Sequence, residues 1–203
     1  MIKVYGNVYS RAGIVMCALE TLGLEYEYIP YLPKGAEIKS DEYLALNPAG
    51  KVPTLVDGDL VLWETQAILF YLADAYGNGQ LWGDTAKERA DVYRWAFFVS
   101  NQLEAFALDL FVQHKFVPEE QRDAAIIARA NLELEKNLPI LNQQLEGRAY
   151  LLGDKPTVAD IHGASILSWV KLVGFDMKRY PNIDTWIKRQ IKSEAQQKVN
   201  TKA

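Results

Sequence analysis

The spacing of apolar residues changes at one point in the chain, and that change restricts the fold more than any other feature. Up to Gly77-Asn78-Gly79-Gln80, short β-branched and aromatic runs alternate with helix-like stretches. Beyond this breaker cluster every apolar pattern has helical spacing. The switch predicts an α/β domain over 1–77, a linker over 78–86 and an all-helical domain over 87–203. Charge divides at the same place. Up to Gly77 there are five Lys/Arg against ten Asp/Glu, and beyond it seventeen against sixteen.

In the first part, Ile2-Lys3-Val4-Tyr5 reads as a strand. A helix is predicted over Arg11–Leu22, with Ile14, Val15, Ala18, Leu19 and Leu22 on its buried face and Gly23 just past its end. Tyr26–Tyr31 reads as a second strand, and a short helix follows over Ser40–Leu46, stopping before Asn47-Pro48. Val52-Pro53-Thr54-Leu55-Val56, an Asp57-Gly58 turn and Leu60-Val61-Leu62 form a hairpin signal. Pro53 is tolerable at the start of a strand, where it need not donate to the ladder. A helix over Glu64–Tyr76 closes the unit. The order βαβ–α–ββα predicts a mixed four-stranded sheet with helices packed on it.

In the second part, Val92, Trp95, Val99, Leu103, Phe106 and Leu110 step by three and four along one bundle helix. Ile127 to Leu145 does the same, with Pro139 expected to kink or divide it. Val158–Val173 is apolar nearly all round and is the expected central helix. Thr157-Val158-Ala159-Asp160 fits a capping box at its start, a folding feature rather than a catalytic one. The basic tail after Trp186 reads as a solvated helix end.

Composition excludes several kinds of function. A chain of 203 residues that is 49% hydrophobic and 24% charged can bury a core. No apolar run is long enough for a membrane-spanning helix, and the first residues lack a secretory pattern. One cysteine permits no internal disulfide, which fits a reducing, cytoplasmic compartment. With two histidines (His114, His162) beside it, a closed metal site is not expected. A net charge of −4 argues against nucleic acid as a partner. Cys17, on the packed face of the first helix, reads as a buried inert thiol.

Against this background, Tyr43-Leu44-Ala45-Leu46-Asn47-Pro48-Ala49-Gly50-Lys51-Val52-Pro53-Thr54-Leu55, followed by Leu62-Trp63-Glu64-Thr65-Gln66-Ala67-Ile68, resembles the cytosolic glutathione S-transferases. These segments look like that family's NP-x-G-x-[VI]-P stretch and its acidic-Ser helix start at the correct separation. The domain change and the capping box extend the resemblance over almost the whole chain. It implies a thioredoxin-like N-terminal domain, an all-helical C-terminal domain and a homodimer. It also implies glutathione as co-substrate, with no permanently bound cofactor and no metal. The activity it implies is conjugation of the glutathione thiolate to hydrophobic electrophiles, as in detoxification. Glutathione-dependent dehalogenation, peroxide reduction, isomerisation or a non-catalytic binding or scaffold role on the same fold remain open.

The resemblance also assigns residues. Val4-Tyr5-Gly6-Asn7-Val8-Tyr9-Ser10 is similar to the first loop of the serine-type phi and theta classes, with Ser10 at the activating serine. A hydroxyl there can donate to a thiolate, the nucleophilic form of a thiol whose free pKa is about 8.5. Taken locally, Ser10 reads first as a helix cap, and it is the family resemblance that puts the activating role ahead. Tyr5 ranks second for thiol activation, although strand alternation favours packing, and Tyr9 third. For glutathione itself, Val52 before Pro53 is the backbone contact across a peptide bond that is cis in the family. Glu64 would meet the γ-glutamyl ammonium and Thr65 the α-carboxylate, with Thr where the family usually has Ser. Lys39 and Lys51 are candidates for the glycyl carboxylate. Tyr9, Asn101, Phe106 and Trp169 are candidates for an electrophile site expected between the domains.

Overall fold

The computed structural model describes every residue from Met1 to Ala203. The chain forms two compact units, Met1–Trp82 together with Ser193–Ala203, and Gly83–Lys192.

The first unit is built on four strands, β1 (Ile2–Gly6), β2 (Tyr26–Pro30), β3 (Thr54–Asp57) and β4 (Leu60–Trp63), in the order β2-β1-β3-β4. β1 is parallel to β2 and antiparallel to β3, and β3 is antiparallel to β4. The connecting helices are α1 (Arg11–Leu22), α2 (Asp41–Leu46) and α3 (Thr65–Tyr76). Period-2 burial along β1 separates two faces: Ile2, Val4 and Gly6 are buried, while Lys3 and Tyr5 face the other way. Ser10 caps α1, and Gly23 ends it in the left-handed conformation (φ 67°), as the spacing predicted. The hairpin also forms, but its first strand begins at Thr54. Pro53 lies just outside the ladder, where its missing N–H leaves no gap. Asp57, at the far end of β3, accepts hydrogen bonds from the Tyr71 (2.7 Å) and Tyr76 hydroxyls and so ties the hairpin to α3.

The C-terminal residues depart from expectation. Helix α9 (Glu194–Asn200) packs on α1 within the first unit rather than extending the helical one. Ala195 and Val199, one helical turn apart, are both buried. Lys202 lies 3.6 Å from Glu20 and stands over the Tyr26 ring. The charges of this tail concealed a two-residue apolar stripe.

The second unit contains α4 (Ala86–Phe98), α5 (Ala105–Lys115), α6 (Ala124–Gln144), α7 (Val158–Leu172) and α8 (Pro181–Ile191). The predicted Val92–Leu110 seam is not one regular α-helix, because Val99–Glu104 forms a π-helical segment between α4 and α5. Its wider turn shifts the buried stripe to Leu103, Ala107 and Leu110 and leaves Phe106 only half-buried. Pro139 does not divide α6, which runs through it. Helix α7 is buried on nearly every side. Its His162 is fully enclosed, with Nε2 3.0 Å from Glu104 Oε2 on the π segment.

The Thr157–Asp160 capping box forms, and Asp160 extends it. Its buried carboxylate accepts from Thr157 N (2.8 Å) and Thr157 Oγ1 (2.9 Å) through one oxygen. The other oxygen accepts from Leu151 N (2.8 Å) and Trp186 Nε1 (2.9 Å). Burial pushes this carboxyl above its ordinary range, and the four donors oppose that shift. Asp160→Ala strands three buried N–H donors and should cost about 3–5 kcal/mol. Urea unfolding checks this, and a loss below about 1 kcal/mol would show that the carboxylate does not organise the unit.

Candidate active site

Three chain segments meet at one end of the sheet. Tyr5 pairs with Thr54, and Thr54 with Trp63, so the end of β1, the start of β3 and the end of β4 share one row. The residues just beyond that row are therefore neighbours: Gly6 to Ser10, Val52-Pro53, and Glu64-Thr65. Gly6 draws two of these segments together. A Cβ on it would lie 2.4 Å from the Ala12 Cβ in the first turn of α1 and 3.1 Å from the Val52 Cβ. Its φ of 144° is a further reason for glycine there.

Ser10 Oγ accepts from Ala12 N (3.1 Å) and donates to Asn7 O (2.6 Å). It is thus the helix cap that local sequence suggested, half-buried, and its carbonyl accepts the Gly13 N–H at 3.0 Å. A thiolate placed here would compete with the Asn7 carbonyl for the hydroxyl proton. Tyr5 lies on the sheet face opposite to Gly6 and α1. Its ring packs on Tyr31 (5.6 Å) and Tyr43 (5.8 Å). Tyr9 is beside Ser10 and 74% exposed.

Val52 stands between these groups. Its peptide bond to Pro53 is cis. Neither its N–H nor its C=O pairs with another group of the chain, so a donor and an acceptor are open at the sheet end. Glu64 leads into α3 at φ 75°, ψ 115°, a conformation that costs a non-glycine residue about 1–3 kcal/mol. Its side chain makes no cap and is exposed. Thr65 is only 7% exposed, and its hydroxyl takes no partner within the chain. The first N–H groups of α3 also lack helical partners and carry the positive end of the helix dipole. Lys39 Nζ approaches Gly50 O at 3.4 Å, and Lys51 is exposed on the same loop.

The arrangement has a definite chemical capacity. An extended peptide can pair with Val52 as a strand would, place a carboxylate at the start of α3 and set an ammonium against Glu64.

Comparison with known proteins agrees with this geometry. Residues 1–74 match the glutathione S-transferase N-terminal domain, and residues 103–194 match the C-terminal domain. The chain belongs to the glutathione S-transferase family. It is 31% identical to glutathione S-transferase GstB of Escherichia coli (strain K12) over 98% of this chain and 97% of that protein. Glutathione transferase F2 of Populus trichocarpa superimposes with a TM-score of 0.90 at 25% identity, covering 100% of this chain and 98% of that one. A glutathione S-transferase-I structure bound with lactoylglutathione gives a TM-score of 0.87 at 30% identity, covering 98% of both chains.

The electrophile candidates are less convergent. Asn101 is exposed on the π segment, and Phe106 lies under the Arg129 guanidinium (5.5 Å). Trp169 stacks on Phe111 at 5.5 Å and makes no ring contact with Phe106. Sequence reasoning passed over Gly6, Tyr43 and Asn47, whose importance comes from close approach and buried hydrogen bonds that residue type alone does not reveal.

The backbone at Glu64 gives a direct check. Glu64→Gly should leave stability unchanged or raise it by up to about 1 kcal/mol, whereas Glu64→Val should lower it by about 1–2 kcal/mol. Denaturant midpoints separate the two, and equal losses would contradict a strained backbone there.

Proposed function

We propose that the protein is a cytoplasmic glutathione transferase in which Ser10 hydrogen-bonds the glutathione sulfur and the thiolate attacks a hydrophobic electrophile. The observation that carries this reading is the unpaired backbone of Val52, set between the Ser10 hydroxyl and the Glu64-Thr65 helix start. Glutathione is a flexible tripeptide that offers a backbone edge to Val52, an ammonium to Glu64 and an α-carboxylate to Thr65. Lys39 and Lys51 stand within the same loop region for the glycyl carboxylate. The relative solved with lactoylglutathione supports a glutathione-type ligand.

Ser10 is preferred over both tyrosines. Tyr5 lies on the sheet face away from α1, and Tyr9 projects into solvent. The hydroxyl of Ser10 would exchange its bond to Asn7 O for one to sulfur, a charge-assisted bond that favours the ionised thiol. Acceleration then comes from thiol ionisation and from holding two substrates together. A homodimer is part of the same reading, supported by the stacked and exposed Tyr93 and Phe97 on α4.

Ser10→Ala should keep glutathione affinity within about threefold and lower kcat/KM about 100-fold. It should also return the bound thiol pKa toward about 8.5. Loss of the cap adds about 1 kcal/mol of destabilisation. Calorimetric titration and thiolate absorbance against pH measure these quantities. No glutathione binding by the unaltered protein would overturn the reading, and an unchanged thiol pKa in Ser10→Ala would move activation to another group.

A further inference from the structure

Beneath the loop that carries Val52 lies a closed hydrogen-bond network that the chemistry above does not use. Tyr43 Oη donates to Lys51 O at 2.6 Å. Asn47 Nδ2 donates to the same carbonyl at 2.8 Å and to Thr54 Oγ1 at 3.1 Å. Thr54 Oγ1 lies 2.7 Å from Tyr43 Oη. A phenol has one proton, and Tyr43 gives it to Lys51 O, so the Thr54 hydroxyl donates back to Tyr43. Asn47 Oδ1 accepts from Ala49 N at 3.0 Å, which fixes the amide's orientation. Tyr43 and Asn47 are each 1% exposed and Thr54 is fully buried.

The network acts on one peptide plane. Lys51–Val52 is a trans bond, so the Lys51 carbonyl and the Val52 N–H point in opposite directions within a single rigid plane. Two donors on Lys51 O therefore turn the Val52 N–H outward, away from α2. The Val52 side chain lies beside Gly6, where an added Cβ would come within 3.1 Å of the Val52 Cβ. We infer that Tyr43 and Asn47 are positioning residues that orient the Val52 N–H for the ligand's backbone, with the Tyr43 hydroxyl as the decisive group. This rests on the glutathione reading given above. Burial raises the Tyr43 pKa, so the phenol remains a neutral donor at working pH.

The consequence is specific to binding. Tyr43→Phe keeps the ring but leaves Lys51 O with one donor and the Thr54 hydroxyl with one partner fewer. The loosened plane must be ordered each time a ligand binds, a cost that falls on affinity and not on the chemical step. Thr54→Val is the matched control. It removes a buried hydroxyl from the same network yet leaves both donors on Lys51 O.

The test compares the unaltered protein, Tyr43→Phe and Thr54→Val by glutathione calorimetry, by steady-state kinetics and by urea unfolding. Tyr43→Phe should raise the glutathione Kd and KM about tenfold, with kcat at saturating glutathione within about twofold. Thr54→Val should lower stability by a similar amount and leave Kd and KM within about twofold. Tyr43→Phe affinity equal to that of the unaltered protein, or equal losses of affinity in both variants, would overturn the positioning role and leave the glutathione reading intact. Absence of binding by the unaltered protein would overturn the glutathione reading together with this inference.

Discussion

The first unit depends on the close approach of three backbone segments around Gly6. The end of β1, the first turn of α1 and the loop before β3 come so near that a single added carbon would overlap Ala12. This approach places the Ser10-capped start of α1 beside the open donor and acceptor of Val52. The antiparallel row from Tyr5 through Thr54 to Trp63 then delivers Glu64 and Thr65 to the same place. Backbone polar groups are rarely left unpaired away from water, and at this sheet end the N–H and C=O of Val52 take no partner within the chain.

The two units carry different kinds of polar order. In the helical unit, Asp160 gathers donors from two loop positions and from Trp186 on α8, and every bond serves folding. In the first unit, Tyr43, Asn47 and Thr54 form an equally buried network directed at the one carbonyl that precedes Val52. The chain's one cysteine, Cys17, is buried within α1. In the proposed chemistry the reactive sulfur arrives with the ligand. The protein's contribution is placement, through a hydroxyl, a backbone edge and a helix start.

Much of this was legible in the residues. Helical spacing located α1, α3 and α7, the Asp57-Gly58 signal located the hairpin, and Ser10 and Thr157 marked real helix starts. Those features are local, so local pattern suffices to read them. The π segment was not legible, because Val99 and Leu103 keep helical spacing whether the turn is α or π. Packing of α9 on α1 was hidden by the lysines that surround Ala195 and Val199. The strained backbone of Glu64 left no trace in its residue type, since glycine would be expected at φ 75°. Tyr43 stood in the sequence only as the first residue of the Tyr43–Leu55 stretch, and its distance to Lys51 O reveals what its hydroxyl does.

The most direct measurement is an amide NMR titration of nitrogen-labelled protein with glutathione. The account predicts that the Val52 and Thr65 amide resonances move together and saturate with one dissociation constant, because both N–H groups meet the same tripeptide. A titration that leaves the Val52 amide in place while resonances elsewhere saturate would contradict it.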